Sequence, residues 1–505
     1  MNRRISKVAV LGSGIMGSGI ACHFANIGVE VLLLDISPKE LNSNEKKNNL
    51  TLDNPKVKNR IVNEMFNKCI KSKPSPIYNK KFIDRISLGN YDDNIHEIKN
   101  VDWIIEVVVE RLDIKKQIFD LIEKHRSNGT IVSSNTSGIP IKLMNEDRSI
   151  DFKKHFAITH FFNPPRYLNL FEVVPGPECK KEVLDFLLNY GEKFLGKTSV
   201  LAKDTPAFIG NRIGTFGIQS LFHQAKSGKY SVEEIDRFTG PAIGRPKSAT
   251  FRTADLVGLD TLFHVTDGIY KNCPNDEKQE IFKHPDFFKK MIENNYLGSK
   301  TGSGFYKKIK DKNGKSKILS IDLKTLEYKE QKKVSYETLK IARGLKNRSK
   351  KFKALVNGSD KASEFYKESF STMFSYVQNR IPEISEDLVK IDEAMKAGFG
   401  WKEGPFEIWD YVGISKGKEL MSKFKLKTAK WIDEMIQSNH DSFYRNIDGN
   451  KEFYDIETKK YKRIEQPRDI VILKNLPESN VVWSNKEAKL IDIGDGILNL
   501  EFDSK

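Results

Sequence analysis

Cysteine is scarce. The 505 residues hold four, at positions 22, 69, 179 and 273, with no C-x-x-C pair. A disulfide scaffold and a cysteine-ligated zinc site are therefore excluded, no metal is expected, and a reduced, cytoplasmic setting fits. Long hydrophobic runs are also missing; the best, Val29 to Ile36, is far too short to cross a bilayer, so no membrane span is expected. The start, MNRRISKVAVLGSG, passes from a short basic segment straight into a strand. It has no apolar stretch with a cleavage site, so no signal peptide is expected.

Acidic residues are outnumbered, 68 Asp and Glu against 84 Lys and Arg, for a net charge of +16. The lysine clusters, such as KKIKDKNGKSK, lack the interleaved aromatics of a single-strand platform. No recognition helix or zinc finger is visible, which argues against a nucleic-acid partner. The surplus reads first as a solvated surface and second as attraction for a phosphate-bearing small molecule. With 38% hydrophobic and 30% charged residues the chain is neither disordered nor fibrous. Its length suits roughly three domains at about 150 residues each.

Residues 1 to about 203 alternate short apolar runs with helical spacing. Val8 to Leu11, Val29 to Leu34, 102–110, 130–135, 156–162 and 170–174 read as strands, and Met16 to Asn26 and Ile114 to His125 as helices. Such alternation predicts an α/β domain with a doubly wound, mainly parallel sheet. Residues 37–85 form a lysine-rich, helical insertion. From 204 to 306 the spacing is helical. Residues 307–335 are basic and polar, with NGK as a turn, and read as a linker. Residues 336–425 are helical again, and 426–505 is a β-rich tail with NG and DG hairpin turns. The fold class is thus α/β plus all-α.

The helical stretches repeat one another. Ile235-Asp236 followed by GPAIGRPKSATFRTADLVG parallels Ile391-Asp392 followed by KAGFGWKEGPFEIWDYVG, and Asn211-Arg212 is set against Asn379-Arg380. The period is far too long for a solenoid, so a domain has been duplicated. The first copy reads RPKSATF where the second carries Gly404-Pro405-Phe406.

Two motifs carry chemistry. Gly12-Ser13-Gly14-Ile15-Met16-Gly17 follows a strand and opens a helix, the setting in which glycines admit a pyrophosphate to a helix N-terminus. Asp35 ends the next strand, placed for adenosine ribose hydroxyls. It would repel a 2′-phosphate, and Ile36 supplies no arginine to hold one, so NAD is favoured over NADP. The second motif is HFFNPP, with His160 at a strand end and Glu172 a short strand later. A carboxylate that fixes the tautomer of an imidazole is the arrangement of a general base and its orienter.

VAVLGSGIMGSGIA, VVVERLDIKKQIF, SNTSGIPI, HFFNPPRYLNLFEVVPG, KDTPAFIGNR and GSKTGSGFY occur in this order. Together they resemble the NAD-dependent L-3-hydroxyacyl-CoA dehydrogenases of fatty-acid β-oxidation, over roughly residues 6–306. The likeness is greatest to large bacterial chains with two dehydrogenase C-terminal domains followed by an enoyl-CoA hydratase module. It implies oxidation of an L-3-hydroxyacyl-CoA to a 3-ketoacyl-CoA with NAD as cofactor. It also implies His160 as base, Glu172 as its partner, and Ser137 and Asn211 as substrate-oxygen ligands. Gly12, Gly14, Ile15, Met16, Gly17, Asp35, Glu110, Lys115, Asn163 and Lys300 would contact NAD. Lys58 is the candidate for coenzyme A.

In double-copy relatives the second helical unit packs on the first within one chain, whereas single-copy relatives dimerise through this unit; the former is expected here. Residues 488–505 resemble the opening hairpin of a hydratase module, so no hydratase activity is expected from this sequence, and a separate hydratase subunit could pair with the tail. A dehydrogenase of free hydroxy acids or sugar acids, and a scaffold for a hydratase, are the alternative functions.

Overall fold

The computed structural model describes residues 3–310, 314–447, 450–465, 471, 473 and 476–502. Eight strands make the first sheet: β1 (Lys7–Leu11), β2 (Glu30–Asp35), β3 (Ile86–Asn90), β4 (Trp103–Glu106), β5 (Ile131–Ser134), β6 (Phe156–Phe161), β7 (Leu170–Pro175) and β8 (Thr198–Leu201). Their order is β3-β2-β1-β4-β5-β6-β7-β8. The first six run parallel; β7 is antiparallel to β6 and parallel to β8. Helices cover both faces, which is why β1, β2 and β4 read as unbroken apolar runs. The order reverses between β1 and β4, the point at which doubly wound sheets place their ligand crevice. The strand expected over 102–110 is only four residues long, because the chain turns away after Glu106. Strands β3 and β8 were not apparent in the sequence pattern.

Two helical copies follow, and the repeat is confirmed by identical caps. In the first copy the Asp236 carboxylate accepts the N–H groups of Phe251 (2.7 Å) and Arg252 (3.0 Å). The Tyr306 hydroxyl donates to it at 2.8 Å. In the second, Asp392 accepts from Phe406 (2.9 Å) and Glu407 (3.0 Å) and from the Tyr444 hydroxyl (2.9 Å). Likewise Asp255 accepts the N–H groups of Phe305 and Tyr306, and Asp410 those of Phe443 and Tyr444. Gly258 and Gly413, with φ of +98° and +99°, link corresponding helices.

These equivalences correct three expectations. Residues 307–335 are no linker: β9 (Tyr306–Lys310), β10 (Ser316–Ile321) and β11 (Tyr328–Glu330) form an antiparallel meander closing the first copy. Its counterpart, β12 (Tyr444–Ile447), β13 (Asn450–Asp455) and β14 (Lys460–Arg463), carries the second copy past residue 425 and well into the expected tail. Asn211-Arg212 opens the helix Gly210–Lys226, whereas Asn379-Arg380 follows the end of its counterpart, Lys361–Val377. The two pairs are therefore not equivalent. Asn313 of the NGK turn and the Asp448-Gly449 turn lie outside the described residues. A separate antiparallel sheet, β15 (Val481–Ser484), β16 (Ala488–Asp492) and β17 (Leu498–Phe502), ends the described chain.

The two copies pack on each other within the chain. Phe216 and Tyr376 stack with centroids 3.6 Å apart. Arg212 is fully buried between Asp276 (2.6 Å), Glu383 (3.0 Å) and the Tyr376 hydroxyl (2.8 Å), and Arg380 joins Asp276 at 3.0 Å. A buried guanidinium needs such full partnering to offset its desolvation. Asn379 bonds Glu277 and the Ser375 carbonyl at this contact. Among the described residues no helix is long and apolar enough to cross a membrane.

Candidate active site

The glycine loop is shaped by three different constraints. Gly12 has φ +108°, and a Cβ there would lie 2.6 Å from the Val107 carbonyl. A Cβ on Gly17 would lie 1.8 Å from the Gly12 carbonyl oxygen, so the helix Ile15–Asn26 seats directly on the turn. At Gly14 a Cβ would meet no atom within 4 Å. Gly14 thus faces open crevice, where a side chain would take up room needed by a ligand. No side chain caps this helix and no acidic residue stands in its first turn, so the N–H groups around Ile15 and Met16 are left for an anion. Asp35, at the end of β2, is held against the loop: its Oδ2 accepts the N–H (2.6 Å) and hydroxyl of Ser13. A dinucleotide fits this donor set.

A second cluster joins the segments after β4 and β5. Glu110 Oε1 accepts from Thr136 Oγ1 (2.6 Å), Ser137 N–H (3.0 Å) and Ser137 Oγ (3.3 Å). Lys115 Nζ lies 3.4 Å from Glu110 and 2.8 Å from Glu106. Burial works against ionisation of Glu110, but Lys115 and the two donors outweigh it and hold its pKa below the ordinary range. The Lys115–Glu106 pair is completely buried, and Ser134 Oγ also donates to Glu106. Glu106, Ser134 and Thr136 were not singled out from the sequence; a carboxylate ending an otherwise apolar strand was the available signal.

The third group centres on His160, near the end of β6. Its Nδ1 lies 2.7 Å from Glu172 Oε2, directly across the antiparallel β6–β7 pair. The other carboxylate oxygen accepts the N–H groups of Ile209 (3.0 Å) and Gly210 (2.8 Å), where the helix Gly210–Lys226 begins. Ala207 and Phe208, with φ of +65° and +48°, turn the chain so that these N–H groups converge on Glu172. Phe162 and Phe208 flank the imidazole at 4.6 and 5.6 Å between centroids. Asn211 follows directly on this helix start. The Phe161 N–H donates to Asn135 Oδ1 (2.8 Å), tying β6 to the segment that carries Ser137.

Residues 7–205 match the family described as "3-hydroxyacyl-CoA dehydrogenase, NAD binding domain", and 208–308 with 370–442 match "3-hydroxyacyl-CoA dehydrogenase, C-terminal domain". The chain belongs to the 3-hydroxyacyl-CoA dehydrogenase family. It is 45% identical over its whole length to a "Probable 3-hydroxyacyl-CoA dehydrogenase" of Bacillus subtilis, of which it spans 63%. It is 40% identical, over 62% of its length, to a "Probable 3-hydroxyacyl-CoA dehydrogenase" of Deinococcus radiodurans, covering 86% of that relative. The crystal structure of 3-hydroxybutyryl-CoA dehydrogenase from Escherichia coli superposes with a TM-score of 0.61 at 20% identity. That superposition takes in 87% of this chain and all of the other, so the shared fold reaches beyond the first helical copy.

Within this family frame the sheet domain is the NAD-binding domain. The structure brings Glu110, Lys115 and Ser137 into one cluster, and His160, Glu172 and the Asn211 helix into another. Asn163 stands exposed just past β6. Two further expected ligands have ion-pair partners of their own. Lys300 pairs with Asp260 in the first helical copy, and no interaction among the described residues ties it to the crevice. Lys58 pairs with Asp93 at 2.8 Å, beyond the end of β3. Of the cysteines, all four are free, and Cys22 is buried in packing.

Proposed function

We propose that the chain catalyses the reversible, NAD-dependent oxidation of an L-3-hydroxyacyl-CoA to the 3-ketoacyl-CoA, with substrate between the sheet domain and the first helical copy. The observation carrying this reading is the shared Glu172 carboxylate, which ties His160 to the helix bearing Asn211. Bound at the glycine loop, NAD supplies the hydride acceptor. Asp35 would bond the adenosine ribose, and the Gly14 side of the loop would leave room for the pyrophosphate.

The chain's own residues do the rest. Glu172, acceptor only, keeps the His160 proton on Nδ1, so Nε2 presents a lone pair. His160 Nε2 takes the 3-hydroxyl proton, and Glu172 stabilises the imidazolium that forms. Ser137 and Asn211 donate to the substrate's 3-oxygen, where charge develops. Phe162 and Phe208 keep water from the imidazole. In reverse, His160 returns the proton to the ketone oxygen.

The test is oxidation of NADH by acetoacetyl-CoA, followed by nicotinamide absorbance, with NADPH and with free acetoacetate as comparisons. Turnover that requires both NADH and the thioester is expected. Turnover with free acetoacetate alone would assign the chain to the hydroxy-acid dehydrogenases.

A further inference from the structure

The first helical copy departs from the second at RPKSATF, and nothing in the reaction above uses that departure. The identical caps on Asp236 and Asp392 put Arg252 where the second copy has Glu407. Glu407 is neutralised by Lys396 (3.0 Å) and Lys451 (2.9 Å). Among the described residues, the one ion pair of Arg252 is a long contact with Asp255, at 3.9 Å. The charge at this position is opposite in the two copies.

Arg252 lines a groove of about 690 Å³ between the first copy, β10 and the helix Glu337–Gly344. Lys247 of the departing segment, Arg237, Arg343 and Lys351 line it too. None of these four makes an ion pair among the described residues. Two carboxylates share the groove. Asp236 is saturated by three backbone N–H groups and the Tyr306 hydroxyl, and among the described residues Glu233 accepts only the Lys332 N–H, at 3.4 Å. The floor is apolar, from Ile318, Leu339 and Ala342. Burial pulls the Lys351 pKa down; Arg348 and Lys402 add to the effect and Glu403 opposes it. No residue of the sheet domain lines the groove.

We propose that this groove binds the phosphate-bearing part of a coenzyme A-type ligand, at a site separate from the catalytic crevice. Its volume falls within the range of small-molecule sites, roughly 300–1,000 Å³. Arginine forks suit phosphate oxygens, and an apolar floor under a cationic rim suits a ligand with an adenosine or pantetheine portion beside its phosphates. The choice of coenzyme A rests on the proposed function; the groove and its charge do not.

Calorimetric titration of the full chain with free coenzyme A tests this. The wild type should take up two equivalents. R237A/R343A, which changes two exposed side chains, should take up one, with binding at the groove at least tenfold weaker and kcat at saturating acetoacetyl-CoA within twofold. One equivalent in both proteins would overturn the proposal. So would an equal loss in K486A/K489A, which removes two exposed lysines outside the groove. If the dehydrogenase reading failed while the groove stood, the wild type would take up one equivalent and R237A/R343A none.

Discussion

Glu172 faces His160 across an antiparallel strand pair and gives it one carboxylate oxygen at 2.7 Å, while the other oxygen holds the start of the helix Gly210–Lys226. One side chain therefore sets both the tautomer of the base and the position of the helix that bears Asn211.

Replacing His160 by Gln should lower kcat by about 10²–10⁴-fold, the usual worth of a general base. Glu172→Gln keeps the shape but presents an amide N–H to Nδ1. The ring proton then moves to Nε2, where a base must be bare. Its kcat should fall at least tenfold with little change in the KM for NADH. Steady-state kinetics on both variants check this, and wild-type turnover in either would remove the pair from the mechanism.

The glycines should separate folding from cofactor binding. Gly14→Ala adds a methyl to open space at an ordinary φ of −56°. It should melt like the wild type but show a raised KM for NADH. Gly17→Ala collides with backbone and should lower the melting temperature markedly. Thermal denaturation alongside kinetics distinguishes the two.

Asp35 should decide between cofactors. Asp35→Ser removes the charge that would repel a 2′-phosphate, so the preference for NADH over NADPH should shrink by at least tenfold. An unchanged ratio of kcat/KM values would show that another residue sets the choice.

The paired caps predict a pH dependence of stability. Burial pushes Asp392 up to about 8, with Glu407 adding to the effect, and burial also raises Asp410 to about 7 and Asp236 and Asp255 to about 6. The folded chain then keeps protons that the unfolded chain releases near pH 4. These four groups therefore favour folding less as pH rises from about 4 to 8. Asp392→Asn cannot ionise, so its urea midpoint should fall less between pH 6 and 9 than that of the wild type. Parallel slopes would contradict the assignment.

Much of this was legible in the sequence, and the reasons differ by residue. The glycine loop, Asp35 and His160 sit at or near strand ends, where a doubly wound sheet places its ligand residues, and Glu172 lies opposite His160 on the next strand. The duplication showed in Asp236 and Asp392 because a buried capping carboxylate tolerates little change. The Asn211 and Asn379 pairing failed because two short polar dipeptides look alike without the helix that orients them. Strands β9 to β11 were hidden by lysines: the meander is half exposed, and its charged face masks the alternation. The N–H groups of Ile209 and Gly210 leave no trace in side-chain identity at all, since backbone does the work.

The buried Arg212 lies two residues beyond Gly210, whose N–H grips Glu172, and its anchors include Tyr376 and Glu383 of the second copy. That second copy acts as a buttress spliced onto the same chain. Its local concentration is fixed by the tether and survives any dilution of the protein. The rigidity behind His160 is therefore a property of one polypeptide, insulated from the mass action that governs a contact between separate subunits.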